Sequence, residues 1–159
     1  MNKYVGIVSA ICAAVLLSGC TGDSVYRRVQ TIAGDYWVMG QACTFNMEVQ
    51  DTMSLYDIYV DIRTSDSYPW SNIYMTGELR DSSSVVSRDT LEVVLFDPEG
   101  KATGHGLSNV KENEILWKKD YKFPRKGPYG FSVSHGMRNV ELPGVSSVGV
   151  RIELAEKQP

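Results

Sequence analysis

The sequence predicts an all-β protein, an antiparallel β-sandwich of jelly-roll-like type, and three observations carry that reading. Runs of apolar/polar alternation recur along most of the chain. Clusters of Gly, Pro, Asp and Ser separate them. No stretch after residue 35 sustains a 3.6-residue apolar period. Short alternating strands without interleaved helices pack as two facing sheets, because each strand has one apolar side to bury.

The elements follow in order. In Cys43–Val49 the odd positions are apolar and the even ones polar. Tyr56, Ile58, Val60 and Ile62 line one face of the next run, opposite Asp57, Asp61 and Arg63. Ile73, Met75 and Leu79 alternate with Tyr74, Thr76 and Glu78. Leu91–Phe96 is more continuously apolar, the pattern of a strand covered on both faces. Lys111–Lys119 is the one place where a turn of helix is expected. Tyr129, Phe131, Val133 and His135 form another face, and Val148, Val150, Ile152 and Leu154 the last. Turns are expected at 65–69, 81–84, 124–128 and 143–144, and at Asp97-Pro98-Glu99-Gly100, where Pro at the second position and Gly at the fourth suit a type I turn.

The N-terminus is a different kind of segment. Met1-Asn2-Lys3 is a short positive start, and residues 5–17 (VGIVSAICAAVLL) are apolar. A membrane-spanning helix needs about 17–25 such residues, so this run has signal-peptide length. It ends in Leu17-Ser18-Gly19-Cys20, which resembles the lipobox of bacterial lipoproteins, cut before the cysteine and acylated on it. The expected organisation is a signal peptide over 1–19, an acylated Cys20 with a polar tether over 20–35, and a sandwich domain over 36–159.

Composition narrows the function. The chain has 159 residues, 43% hydrophobic and 22% charged, with net charge -3, which is ordinary globular usage rather than a disordered tail or a multi-span membrane protein. An acidic balance also argues against a nucleic-acid partner. Cys12 leaves with the signal peptide and Cys20 carries lipid, so Cys43 alone remains and no intrachain disulfide is expected.

Candidates for chemistry are few. His105 and His135 stand thirty residues apart, and Cys43 has no CxxC or HxH companion, so no metal site is expected. Cys43 shares an apolar face with Phe45 and Met47, the place of a core residue rather than a nucleophile. G-x-S-x-G, H-E-x-x-H and Walker glycine patterns are missing. Asp57 and Asp61 beside Arg63 read as a solvated or ion-paired face. The expectation is therefore no enzyme, with no cofactor beyond the covalent lipid on Cys20.

Two stretches suit binding. Tyr68, Trp70, Asn72 and Tyr74 crowd a loop and the start of a strand, and Trp and Tyr supply large contact area at low entropic cost, the plainer alternative being that Trp70 plugs one end of the sandwich. Lys118–Lys126 holds five basic residues in nine and reads as a charged hairpin, with docking to acidic lipid or a partner as the sharper alternative.

Taken together, the ordered motifs resemble a known family. They are a lipobox; then Trp37, Phe45 and Asp51; a strand ending in Arg63; and Tyr68-Pro69-x-x-Asn72. Asp97-x-x-Gly100-Lys101-x-x-Gly104-x-Gly106 follows, then Gly127-x-Tyr129-x-Phe131-x-Val133-x-His135-x-Met137-Arg138, and finally Leu142-x-Gly144-Val145-x-x-Val148-Gly149. Order and spacing resemble the GldH family of gliding-motility lipoproteins, found in the Bacteroidetes. The resemblance implies a lipid-anchored, non-enzymatic accessory or assembly component of the cell envelope, linked to gliding motility or type IX secretion. It also implies attachment to the outer membrane and one or more envelope protein partners. Surface-exported lipoproteins of this group tend to carry an acidic cluster after the acylated Cys, whereas Thr21-Gly22-Asp23-Ser24 offers one acid, so a periplasm-facing domain is expected. The alternative is a carbohydrate-binding module with Tyr68 and Trp70 as a stacking platform.

The anchor is directly testable. One acyl chain holds a protein only marginally and two or more hold it stably. The mature protein should sediment wholly with membranes, and Cys20→Ala should move it to the soluble or precursor fraction, as read by membrane fractionation.

Overall fold

The computed structural model describes residues 24–106 and 109–156; the signal peptide, its lipobox and Cys20 lie outside them. The described chain is nearly all strand. In order come β1 (Ser24–Thr31), a 3-10 turn (Ala33–Asp35), β2 (Tyr36–Val38), β3 (Cys43–Val49), β4 (Tyr56–Ser65) and β5 (Asn72–Asp81). Then follow β6 (Val85–Val94), β7 (Val110–Tyr121), β8 (Gly127–His135), β9 (Glu141–Pro143) and β10 (Val145–Leu154).

Eight of these strands build two four-stranded antiparallel sheets, ordered β1-β10-β4-β7 and β3-β8-β5-β6. Strand partners follow a simple rule. The first long strand pairs with the last (β1 with β10), and then β3 with β8, β4 with β7 and β5 with β6. The chain is thus one long two-stranded ribbon wound upon itself. β10 against β4 and β8 against β5 close the winding. This is the strand order of a jelly roll. The short β2 and β9 pair with each other as a separate ribbon.

Alternation explains which side of each sheet faces in. β3 reads buried-exposed without a break from Cys43 to Val49, and β8 does nearly the same. Their inward rows join those of β4, β5 and β10 in one apolar cluster. Trp117 of β7 meets Phe131 of β8 edge to face at 4.7 Å, joining the two sheets across the core. Gly77 of β5 lies beneath them, where a Cβ would come within 2.7 Å of the Trp117 indole nitrogen and 3.1 Å of the Phe131 ring.

Four expectations need correction. Residues 24–31, read as part of a tether, form β1, and the sheet domain begins at Ser24 rather than at residue 36. As an edge strand β1 leaves most of its residues exposed, so SVYRRVQT has the polar look of a linker. Lys111–Lys119 is not helical but lies within β7, where Asn113 and Trp117 point inward while Glu114 and Leu116 meet solvent. Leu91–Val94 closes β6, an edge strand, with Val94 55% exposed, so it is not covered on both faces. Finally, Lys118–Lys126 is not a hairpin: it carries the chain from β7 in one sheet to β8 in the other.

Overpacking a filled core costs about 1–3 kcal/mol. Gly77→Ala should therefore lower the denaturant midpoint without changing the slope of the unfolding curve, because its Cβ has no room beside Trp117.

Candidate functional site

The winding gives the domain two unlike ends. One holds the 50–55, 82–84 and 122–126 loops together with Ser24 and Leu154. The other holds β2, β9 and the connections over 66–71, 95–106 and 136–140. Backbone bonds knit this second end: Ser65 N–H to the Gly144 carbonyl at 2.8 Å, Gly144 N–H to Asp35 at 2.8 Å and Leu95 N–H to Ser71 at 2.7 Å.

The aromatic stretch picked out in the sequence lies here, and it divides. Tyr68 is a core residue, 3% exposed, with its hydroxyl donating to the Asn72 carbonyl at 2.9 Å. Burial pushes that phenol well above its ordinary range. Gly144 lets the Tyr68 backbone approach: its φ is +79°, and a Cβ would fall 2.4 Å from the Tyr68 nitrogen. Trp70 is half-buried and meets Tyr68 edge to face at 5.3 Å, 69° between planes. Two exposed coplanar rings, as a sugar-stacking platform requires, are not what this pair presents. Tyr68 therefore drops out as a contact residue and becomes the post on which Trp70 leans.

Asn72 and Tyr74 instead share the outer face of β5. The Asn72 amide donates to Glu92 Oε1 at 2.6 Å, and Tyr74 stands directly opposite Glu92 in the ladder. A hydrogen bond to that carboxylate raises the Tyr74 phenol, whose side chain stays in solvent. Met137 Sδ accepts from the Tyr74 N–H at 3.4 Å.

The β2–β9 ribbon adds residues that sequence reasoning missed. Trp37 points inward, donates from its indole to the Gln41 carbonyl at 2.8 Å and meets His135 edge to face at 5.3 Å. Alternation then turns Tyr36 outward, 53% exposed. Met39 donates its N–H to the Val140 carbonyl at 2.7 Å, and these two are 45% and 63% exposed. An outward Tyr beside an inward Trp was the available signal, but a three-residue strand is invisible until its partner 105 positions away is known.

The remaining candidates settle elsewhere. Cys43 is buried, and burial pushes its thiol up to about 11, as befits a core residue. His105 exchanges backbone bonds with Glu112 at 2.8 and 2.7 Å. The Asp57–Asp61–Arg63 face needs a correction, since Asp61 is only 3% exposed. Gly149 of the neighbouring strand stands opposite it, and Arg151 lies 4.0 Å away, over the Tyr59 ring and paired also with Glu114 and Glu153. Burial raises the Asp61 carboxyl despite Arg151. Among the described residues, no group of three or more His, Cys, Asp or Glu side chains is placed to hold a metal ion.

Residues 24–152 match the sequence family described as GldH lipoprotein. The chain belongs to the GldH lipoprotein family. The gliding motility lipoprotein GldH of Flavobacterium johnsoniae is 31% identical over 90% of this chain and 92% of its own. The gliding motility lipoprotein GldH homolog of Christiangramia forsetii is 30% identical over 98% of this chain and 99% of its own. GldH membership places the chain among membrane-anchored lipoproteins of the cell envelope in a family implicated in gliding motility. Its fold is shared more widely. The solved structure of BtGH115A, a family GH115 4-O-methyl-alpha-glucuronidase, aligns with a TM-score of 0.51 at 13% identity, over 85% of this chain and 18% of that one. That likeness concerns the fold alone.

His135 supplies a pH test of this end. Burial lowers its pKa below the ordinary 6.5, outweighing a backbone contact from Trp37. A folded value below the unfolded one means stability is fully present above 6.5 and is lost as pH falls through the folded value. Melting temperature should therefore drop more between pH 7.5 and 5.5 for the parent than for His135→Phe, which keeps the contact with Trp37.

Proposed function

We propose that the protein is a lipid-anchored, non-enzymatic accessory or assembly component of gliding-motility or type IX secretion-linked machinery. Lipid on Cys20 holds it at the outer membrane facing the periplasm, and the end opposite the anchor engages an envelope protein. The observation carrying this reading is the separation of the two ends. The chain enters at Ser24 on one, while Trp70, Tyr74, Tyr36, Met39 and Val140 display apolar and aromatic surface on or beside the other. A ten-residue strand such as β4 spans about 33 Å, so these groups stand clear of the surface to which the first end is tied.

Tyr and Trp are the residue types that most often dominate protein contacts, and truncating such an anchor commonly costs about 2 kcal/mol or more in binding. Val140 carries little folding energy where it stands, since exposed substitutions usually change stability by about 0.5 kcal/mol or less. Val140→Asp and Tyr36→Ala should leave the melting temperature nearly unchanged while reducing crosslinked partner recovered from native membranes. Trp70→Ala should do both things, with a folding loss below the roughly 3–5 kcal/mol of a fully buried Trp. Unchanged recovery in all three variants would refute the docking end. Retention on polysaccharide, lost in Trp70→Ala, would favour the carbohydrate-binding alternative instead. Degradation by protease added to intact cells would refute the periplasmic orientation.

A further inference from the structure

The end that carries Ser24 has surface that neither the core nor the partner-docking role uses. Met53 at the tip of the β3–β4 loop is 79% exposed, Val25 of β1 55%, and Leu55 and Leu154 44% each. They are neighbours. Ser24 pairs with Glu153, Leu154 with Tyr56, and the Ala155 N–H donates to the Leu55 carbonyl at 2.9 Å. Beside them opens a cleft of about 380 Å³, its wall mostly apolar and including Val25, Met47, Val49, Phe123 and Leu154. The loop itself is built to hold Met53 out. Asp51 accepts from the Met53 N–H at 2.7 Å and from the Ser54 hydroxyl at 2.6 Å, so its charge is spent within the loop. Three exposed lysines from the basic run, Lys119, Lys122 and Lys126, lie at the same end, while Arg125 is paired with Asp81.

Where the chain goes next identifies the occupant. Ser24 follows Cys20 by four positions, and four residues span at most about 14 Å. A cysteine acylated there brings this end, and no other, against the bilayer. We propose that the domain lies on the membrane through a second, non-covalent contact, with Met53, Leu55, Val25 and Leu154 seated in the interfacial layer and the three lysines facing lipid phosphates. This rests on the acylation of Cys20. The apolar tip suits that boundary, and although Asp120 and Glu156 flank it, the three lysines beside them supply the cations that anionic headgroups attract. The contact fixes orientation: the lipid alone would leave the domain free to roll, and the seated end directs β2, β9 and Trp70 away from the surface.

The test uses the full acylated protein in phosphatidylethanolamine/phosphatidylglycerol vesicles. Met53→Cys, Val25→Cys and Val140→Cys are each labelled with an environment-sensitive dye; Cys43 is buried and does not compete. Relative to the Cys20→Ala protein produced without residues 1–19, and therefore without Cys12, iodide quenching at positions 53 and 25 should fall about threefold or more, while position 140 stays open, as expected when only one end is seated. Lys122→Glu with Lys126→Glu should restore part of the quenching. Flotation with the vesicles but unchanged quenching at 53 and 25 would overturn the contact and leave the anchor standing. Failure to float would overturn the anchor and the contact with it. Shielding that appears in the Cys20→Ala protein without vesicles and grows with concentration would assign the patch to a second copy and overturn the membrane contact.

Discussion

Across the core, Trp117 on β7 lays its edge against Phe131 on β8, in the space that Gly77 leaves open on β5. Most of the fold depends on contacts of this kind between the two inward rows. Each sheet has one apolar face, and neither face is tolerable in water, so the sheets must cover each other. Full burial of side chains such as Phe131, Ile58 and Leu79 contributes about 1.5–3 kcal/mol each. A ribbon folded on itself delivers the two faces together, because every turn of the winding places paired strands in both sheets alternately. Gly77 is what permits two large rings at the centre rather than one.

The outer faces have no such obligation, and they differ. On the β1-β10-β4-β7 sheet a charged lattice links Arg63 to Glu112 at 2.9 Å, Arg27 to Glu112 at 3.7 Å and Arg151 to Glu114 at 2.8 Å. Pairs of this exposure are worth about 0–1 kcal/mol, so they decorate the sheet rather than hold it. Arg151 is the exception in kind, being mostly covered and set between Asp61 and two glutamates. The β3-β8-β5-β6 sheet sets Glu78 between Arg80 and Arg88 and brings the Thr76 and Thr90 hydroxyls within 3.1 Å of each other. Neither face offers a cluster of ligands or an activated nucleophile among the described residues.

Topology rather than composition gives the molecule its direction. Pairing the first strand with the last brings Ser24 and Leu154 to one end, and the alternation of the ribbon then sends β2, β9 and the Tyr68–Trp70 loop to the other. Under the proposed function this separation matters: the end carrying Ser24 would be the one nearest the membrane, and the other end is what a partner in the envelope would encounter.

Strands whose two faces see different media were readable from the sequence alone. β3, β4, β5, β8 and β10 each bury one apolar side and line the other mostly with polar or small residues, so period-2 alternation marks them within a residue or two. The ordered family motifs were equally local. The edges were not readable: β1 buries too little to differ from a linker, while β6 and β7 break the alternation by exposing apolar residues such as Val94 and Leu116. Nor could alternation tell that Asp61 sits under Arg151 or that Tyr68 is core and Tyr36 is not, since those outcomes depend on Gly149, Gly144 and β9, contributed by the far end of the chain. Sequence periodicity determines which side of a strand is apolar. Only the winding decides which strands become edges, which residues stand opposite one another and which loops share an end, because those depend on pairings between segments about a hundred residues or more apart, whose cost and gain are settled only when the sheets close.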